Sequence, residues 1–166
     1  STYGMAIHEV EVSNSSGSTQ IYTMRCHGNL GSDSGTYWHY ADSNGPYYTI
    51  SSDKSSASSD GSDPVITFLY ADSSINSYGT SRSMPYSNGN DYHDFYVYDV
   101  SIDHGETHRY LFLGGVGDID DSLYNRASEA NSARAGLVDP ANWPADFTSF
   151  LTGEEREEVI NWDLVP

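Results

Sequence analysis

Short runs rich in Val, Ile, Thr, Tyr and Phe alternate with clusters of Gly, Ser, Asn and Asp through the first two thirds of the chain. This alternation of strand-forming runs and turn-forming clusters is typical of antiparallel β structure. The apolar period of an amphipathic helix is absent there. Strands at such spacing predict a mainly β fold, an antiparallel β-sandwich or jelly roll of about seven to eight strands. The predicted strands are Ala6–Val12, Gln20–His27, Tyr37–Ala41, Tyr47–Ser51, Val65–Ala71, Phe95–Ile102 and Thr107–Leu113.

The period changes after Gly117, which predicts a helical C-terminal segment over 117–166 behind a β-rich body over 1–116. A helix is indicated by the one-sided spacing of Ile119, Leu123, Ala127 and Ala130, with Arg134 near its end and Gly136 beyond it. A chain of 166 residues is long enough to bury one core, so both parts are expected to form a single domain, 1–166.

Two further short helices are predicted near the end of the chain. Pro144 suits the first turn of a helix ahead of Phe147 and Phe150. Thr152-Gly153-Glu154-Glu155 is a capping box that leads into the apolar residues Val159, Ile160 and Trp162.

His104-Gly105 predicts a two-residue hairpin turn between the last two strands. Such a hairpin would place Asp103 opposite Glu106 and would leave the alternate residues on the core face. The core set would then be Tyr96, Tyr98, Val100, Ile102, Leu111 and Leu113.

The opposite face of this predicted hairpin gathers three carboxylates and an imidazole, Asp99, Asp103, Glu106 and His108. These groups are ligands for Ca²⁺ or another divalent cation, and they could also act as acid and base. The alternative is a solvated face, because acidic residues cluster by chance in a chain this acidic.

A group of aromatic residues surrounds the Asn44-Gly45-Pro46 turn: Tyr37, Trp38, Tyr40, Tyr47 and Tyr48. Aromatic rings of this kind could stack on sugar rings or anchor a protein interface. Since Tyr also suits strands, the alternative is that about half of these rings belong to the core.

The charge balance is strongly acidic, with 24 acidic and seven basic residues, a formal net charge of −17 and Lys54 as the single lysine. Direct nucleic-acid binding is not expected, because it requires a basic surface that displaces counterions from phosphates. Like charges repel at low ionic strength and are screened within about 3 Å near 1 M salt, so salt-dependent stability is predicted. This composition resembles that of proteins from extreme halophiles; an acidic secreted bacterial protein is the alternative.

Other features narrow the class of protein. No apolar run approaches the roughly 20 residues that a membrane span needs. Cys26 is the only cysteine, so no intrachain disulfide can form. Asn14-Ser15-Ser16 is a sequon that would carry a glycan in a secreted chain. Walker, zinc-helix, nucleophile-elbow and dinucleotide-binding motifs are absent from the sequence.

The size, the β-rich body and the acidic composition resemble the single jelly-roll coat proteins of halophilic archaeal viruses. This resemblance implies a structural, self-assembling subunit, a homo-oligomer or one part of a larger assembly, located in a virion or at an extracellular surface in high salt. Two other hypotheses remain: a carbohydrate- or Ca²⁺-binding β-sandwich module, and a small secreted hydrolase that uses Asp99, Asp103 and His108.

Overall fold

The computed structural model of the chain describes residues 4–29, 37–41, 47–51, 65–71, 81–83, 92–116, 137, 139–144 and 146–164. These residues are mainly β. The strands are β1 Gly4–Ser13, β2 Gln20–Asn29, β3 Tyr37–Ala41, β4 Tyr47–Ser51, β5 Val65–Leu69, β6 Ser81–Ser83, β7 Tyr92–Ile102 and β8 Thr107–Val116.

The strands form two antiparallel sheets, a large one with the order β1-β8-β5-β4-β3 and a small one with the order β2-β7-β6. The prediction of a mainly β chain with antiparallel pairing is confirmed. The predicted strand segments overlap with strands of the structure, often with different ends, and β6 lies in a stretch without a strand prediction.

The predicted hairpin between β7 and β8 is wrong, because these strands belong to different sheets. β7 pairs with β2, so that Gln20 lies opposite Ile102, and β8 pairs with β1, so that Ser13 lies opposite Thr107. The connections 14–19 and 103–106 therefore both cross from one sheet to the other, and we call them the inter-sheet turns.

Backbone and side-chain hydrogen bonds join the two inter-sheet turns, which explains why no hairpin forms. The Asn14 N–H donates to the Glu106 carbonyl at 3.0 Å, and the Gly105 N–H donates to the Asn14 carbonyl at 2.8 Å. The buried Asn14 side chain donates from Nδ2 to the carbonyls of Ser18, at 2.8 Å, and Ile102, at 2.9 Å. Since both Nδ2 hydrogens are used and the side chain is buried, this geometry does not suit the glycan that the sequon predicts.

A β-bulge in β7 changes which side chains face the core. The pairing of β2 with β7 shifts between Tyr22 and Met24, and Asp99 adopts a left-handed backbone with φ 54°. Because two residues of a bulged strand oppose one residue of its partner, the alternation changes at that point. Val97, Val100 and Ile102 are buried. Tyr96 and Tyr98 are only half-buried and stack on each other at 5.6 Å, so their predicted place in the core is wrong.

The inter-sheet core lies between the two sheets. Residues from both sheets contribute to it, and its buried members are Met24, Tyr70, Ala71, Val97, Val100, Tyr110 and Phe112. Each fully buried large apolar side chain contributes about 1.5–3 kcal/mol, so this cluster holds the sheets together.

The C-terminal core covers the other face of the large sheet. Its buried members are Leu69, Leu111, Leu113, Leu151, Val159 and Trp162. Strand β8 therefore contributes alternate side chains to both cores, Tyr110 and Phe112 to one and Leu111 and Leu113 to the other. Burial on both faces explains its near-continuous apolar sequence.

The described residues from 137 to 164 contain little helix. A 3-10 helix spans Pro140–Asn142, and helix α1 spans Gly153–Glu157. The capping box at Thr152 is confirmed, with the Glu155 N–H donating to Thr152 Oγ1 and the Thr152 N–H donating to the Glu155 carboxylate. Residues 146–150 form turns instead of the predicted helix, and the helix predicted over 119–136 lies outside the described residues.

After α1 the chain runs beside β8 and does not continue the predicted helix through Val159 and Ile160. The Arg109 N–H donates to the Glu158 carbonyl at 2.8 Å, and the Ile160 N–H donates to the Arg109 carbonyl at 3.0 Å. β5 pairs with β8 only from Leu113 onward, so the C-terminal segment occupies the next position along the same edge of β8. The backbone of β8 is thereby paired beyond the end of β5.

Candidate functional site

The four residues of the predicted cation site fall on different elements. Asp99 lies at the bulge of β7, Asp103 and Glu106 lie in an inter-sheet turn, and His108 lies on β8. The part of the chain that the structure describes holds no group of three or more His, Cys, Asp or Glu side chains that could bind a metal ion. The assignment of these four residues to a cation site stays a prediction.

Asp103 and Glu106 instead hold the inter-sheet turn. The Asp103 carboxylate accepts a hydrogen bond from Thr19 Oγ1 at 2.6 Å, which joins this turn to the other inter-sheet turn. The Asp103 N–H donates to the Glu106 carboxylate at 2.8 Å. Both carboxylates have structural partners, as expected of turn residues whose side chains bond to nearby backbone.

His108 lies in a polar chain that leads from this turn toward the inter-sheet core. Its Nε2 is 3.9 Å from the Glu106 carboxylate, and its Nδ1 is 2.9 Å from the hydroxyl of Tyr22. The Tyr22 hydroxyl is in turn 2.6 Å from that of Tyr110. Burial lowers the pKa of His108 against an opposing effect of Glu106, and burial raises the pKa of Tyr22. Both groups are thus favoured in their neutral forms.

The predicted aromatic group lies on two neighbouring strands of the large sheet. Tyr37, Trp38 and Tyr40 are on β3, and Tyr47 and Tyr48 are on β4. In the pairing of these strands, Tyr37 lies opposite Ser51 and Tyr40 lies opposite Thr49. The side chains and the Asn44-Gly45-Pro46 turn lie outside the described part of the chain, so the stacking surface stays a prediction.

A cavity of about 450 Å³ opens between β1 and β2, and nothing in the sequence patterns singled it out. Each of these strands lies at the edge of its sheet. The lining consists of His8 and Val10 from β1, Met24, Arg25, Cys26 and His27 from β2, Tyr70, and Phe112, Leu113 and Gly114 from β8.

Strand pairing explains how this cavity forms. In β1, His8 lies opposite Phe112 of β8, and in the small sheet Met24 lies opposite Val97. The inter-sheet turn 14–19 joins β1 and β2 at one end, and both strands are ten residues long. The sheets therefore meet along β1 and β2, the outermost strands of the large and the small sheet. The cavity reaches the inter-sheet core at Met24, Tyr70 and Phe112.

Two histidines and one arginine are the nitrogen-containing side chains among the described residues of this lining. His8, Arg25 and His27 line the cavity, and none of the described residues of its lining is Asp or Glu. Arg25 Nη2 is 3.1 Å from His27 Nδ1, and the guanidinium carbon lies 5.3 Å from the centre of the Tyr96 ring. The sequence does carry a signal for this surface, since no acidic residue occurs from Val12 to Ser32.

Acidic side chains concentrate around Arg109, on the face of the large sheet that carries the C-terminal core. Arg109 lies 2.9 Å from the Glu11 carboxylate, 2.7 Å from that of Glu158 and 3.5 Å from that of Glu155, and it also contacts Glu9. Hydrogen bonding to Glu158 is the main reason why the pKa of Arg109 is raised. One guanidinium thus joins β1, β8 and the end of α1.

The outer face of the small sheet differs from the acidic surface around Arg109, because it carries an exposed apolar side chain. Ile21 on β2 is 72% exposed, the largest exposed fraction of any large apolar side chain that the structure describes. Next to it on the same strand lie the exposed residues Thr23 and Arg25, and Arg25 covers the Tyr96 ring of β7. Strand β2 itself contains no Asp or Glu.

None of the helices that the structure describes is long and apolar enough to span a membrane. Comparison of the chain with models of protein families, with curated proteins and with solved structures found no significant match.

Proposed function

We propose that this protein is a structural, self-assembling subunit adapted to high salt, and that copies associate through strand β2. The observation that carries the proposal is the nature of this edge strand, which has ten residues, no Asp or Glu and an exposed Ile21. The two sheets are proposed to form a β-sandwich of the jelly-roll coat type, placed in a virion or at an extracellular surface.

Edge strands are the natural sites of strand addition, because their outward N–H and C=O groups have no partner within the sheet. Most proteins protect such edges with charged residues, a proline or a covering element. Among Lys, Arg, Asp and Glu, β2 contains only Arg25, and the strand has no proline.

The net charge makes this edge the favourable place for contact between copies. Two molecules of charge −17 repel each other wherever acidic surfaces meet. Antiparallel pairing of β2 with β2 of a second copy brings together two acid-free edges, and it is self-complementary, as a two-fold interface requires. Screening by concentrated salt then removes the remaining long-range repulsion.

The experiment is to measure assembly by light scattering, sedimentation and negative-stain imaging at NaCl concentrations from about 0.1 M to about 4 M, a range set by the change in screening length. The unmodified protein is expected to form large ordered assemblies as the salt concentration rises. Ile21→Glu and Thr23→Glu each place a carboxylate on the β2 edge and are expected to prevent assembly.

Ser15→Glu is the matched control, because it adds the same charge at an exposed position of an inter-sheet turn. This variant is expected to assemble like the unmodified protein. A monomer at every salt and protein concentration would contradict a self-assembling function. Normal assembly of Ile21→Glu and Thr23→Glu would show that copies meet at another surface.

A further inference from the structure

We propose that the C-terminal segment, residues 152–164, is a salt-operated strap: it lies on β8 in concentrated salt and detaches at low salt while the two sheets stay folded. The strap contains α1 and the stretch that runs beside β8. Its buried side chains belong to the C-terminal core, on the other face of the large sheet from the inter-sheet core. The proposal therefore does not depend on strand β2 or on the proposed assembly contact.

The strap and the strands beneath it carry charges of the same sign. The strap has five acidic residues and one basic residue, Arg156. On the large sheet, the charged groups in contact at Arg109 are its own guanidinium and the carboxylates of Glu9 and Glu11, with a net charge of −1. Like charges therefore face each other across the contact between the strap and the sheet, and they repel.

Arg109 brings carboxylates from both sides of this contact close together. Its Nη2 lies 2.9 Å from the Glu11 carboxylate on β1 and 3.5 Å from the Glu155 carboxylate on the strap. These two carboxylates are thus closer to each other than the screening length of about 10 Å at 0.1 M salt. The Glu11 side chain is 50% exposed and that of Glu155 is 34% exposed, so dissolved ions can screen their repulsion.

The attraction that holds the strap is less sensitive to salt than this repulsion. Arg109 Nε lies 2.7 Å from the Glu158 carboxylate, and the Arg109 side chain is only 13% exposed. Partly buried pairs are screened much less than exposed charges. Concentrated salt therefore weakens the repulsion more than the attraction and favours the docked strap.

The strap is attached by fewer bonds than the strands are. Among the described residues, two backbone hydrogen bonds join it to β8, both at Arg109. The side chains of Asn161 and Trp162 add hydrogen bonds to Leu111 and Tyr70. In contrast, β1 pairs with β8 over ten residues. An element with so few bonds can open at a lower free energy than the whole domain.

Release of the strap would uncover apolar surface. Leu111 and Leu113 of β8 are buried in the C-terminal core together with Val159 and Trp162 of the strap. A fall in salt concentration would therefore expose these side chains while the inter-sheet core stays intact.

The test compares hydrogen exchange at two places. The Arg109 and Leu111 amides bond to the strap, whereas β2 and β7 pair with each other. The measurements use Ile21→Glu, because this variant is expected to stay monomeric and assembly then cannot change the exchange rates.

Between about 1 M and about 0.1 M NaCl, exchange of the Arg109 and Leu111 amides is expected to accelerate about tenfold, and exchange in β2 and β7 is expected to change much less. A tenfold change corresponds to four like-charge pairs of ordinary strength, Glu9 and Glu11 against Glu155 and Glu158.

Two variants locate the charges that drive the release. Glu11→Gln keeps the length of the side chain and removes two of the four repulsive pairs, so the acceleration at low salt is expected to fall to about threefold. Asp146→Asn is the matched control, because it removes the same charge at an exposed position outside the strap. This control is expected to keep the tenfold change.

Three results would overturn this proposal. They are exchange of the Arg109 and Leu111 amides that does not respond to salt, equal acceleration throughout both sheets, or the same response of Glu11→Gln and Asp146→Asn. Failure of the proposed function has a separate signature in the unmodified protein, whose β2 amides would then gain no protection as the salt concentration rises.

Discussion

Individual polar residues at the junction of the two sheets have structural partners that constrain what they can do. His108 is half-buried and contacts the Tyr22 hydroxyl on one side and the Glu106 carboxylate on the other. Asn14 bonds to Ser18 of its own inter-sheet turn through its side chain, and to Gly105 and Glu106 of the other inter-sheet turn through its backbone. These contacts make the junction a defined polar network, and they give His108 a measurable effect on stability.

His108 should make the folded state less stable as the pH falls. Burial lowers its folded-state pKa below the ordinary value of 6.5, so the unfolded chain binds the proton more readily. Its contribution to the free energy of unfolding is therefore fully present above about pH 6.5 and is lost as the pH falls from there through the folded-state pKa.

The measurement is urea unfolding of the unmodified protein and of His108→Gln at about pH 7.5 and about pH 5.5, on either side of the ordinary pKa of histidine. Many carboxylates begin to titrate near the lower pH, so the difference between the two proteins isolates His108. The unmodified protein is expected to lose more stability than His108→Gln. Equal losses would show that the pKa of His108 does not change on folding.

At position 99, glycine should give a more stable protein than alanine. Its φ of 54° costs an L-residue about 1–2 kcal/mol, and glycine avoids this cost. Asp99→Gly and Asp99→Ala lose the same carboxylate, so their difference in unfolding free energy measures the backbone alone. Asp99→Gly is expected to be more stable than Asp99→Ala by about 1 kcal/mol.

Ser101 provides the control on the same strand, because it is exposed and does not share the positive φ. There the order is expected to reverse, with Ser101→Ala more stable than Ser101→Gly by about 0.5–1 kcal/mol. The same order at both positions would count against the left-handed bulge.

At the scale of the elements, strand positions could be predicted from sequence and strand partners could not. Runs of β-branched and aromatic residues mark where a strand lies, because local propensity and turn residues act over a few positions. The turn at His104-Gly105 looks like a hairpin locally, and its role depends on Asn14, whose hydrogen bond to Ile102 spans 88 residues. Pairing over such a distance leaves no short-range pattern.

The candidate site, too, depended on strand pairing that the sequence did not reveal. The predicted alternation of core and outer side chains along β7 assumed a regular strand. The bulge at Asp99 changes this alternation, so Tyr96 and Tyr98 do not lie in the core. The cavity depends on the meeting of β1 and β2 from different sheets, which only the three-dimensional pairing defines. Its one signal in the sequence is the absence of acidic residues from Val12 to Ser32.

Asn161 should be essential for docking the C-terminal segment. Its buried side chain accepts from the Leu111 N–H at 3.0 Å and donates to the carbonyls of Leu111, at 2.9 Å, and Tyr70, at 2.6 Å. Asn161→Ala removes these bonds in a buried place and is expected to cost about 2–4 kcal/mol of unfolding free energy.

Asn142→Ala is the control, because Asn142 is an exposed residue of the same type in the same segment. It is expected to change stability by about 0.5 kcal/mol or less. Hydrogen exchange provides a second readout, since Asn161→Ala should expose the Leu111 amide to faster exchange. Unchanged stability and exchange would show that the segment is held without this side chain.

For the whole molecule, the distribution of charge decides the conditions under which it is stable. Acidic side chains surround Arg109 beside the C-terminal core, and the net charge is −17. Repulsion among so many like charges opposes compactness and is relieved when the screening length falls from about 10 Å at 0.1 M salt to about 3 Å at 1 M.

The melting temperature should therefore rise with NaCl concentration. Each kcal/mol of relieved repulsion is expected to raise it by about 2–4 °C for a chain of this size. Thermal melts at increasing NaCl, compared with melts in sucrose to separate screening from general exclusion effects, provide the measurement. A melting temperature that does not respond to salt would contradict the halophilic interpretation.

The pairing of early strands with late ones sets the order in which the chain can be made and folded. Ser13 meets Thr107 across 94 residues, and Tyr22 meets Tyr110 across 88. At a synthesis rate of about 5–20 residues per second, the first two strands wait for several seconds on the ribosome before their partners emerge. During that interval the acid-free β2 segment is exposed to neighbouring nascent chains, so the yield of folded protein should depend on how crowded the translating polysomes are and on chaperones that cover this segment.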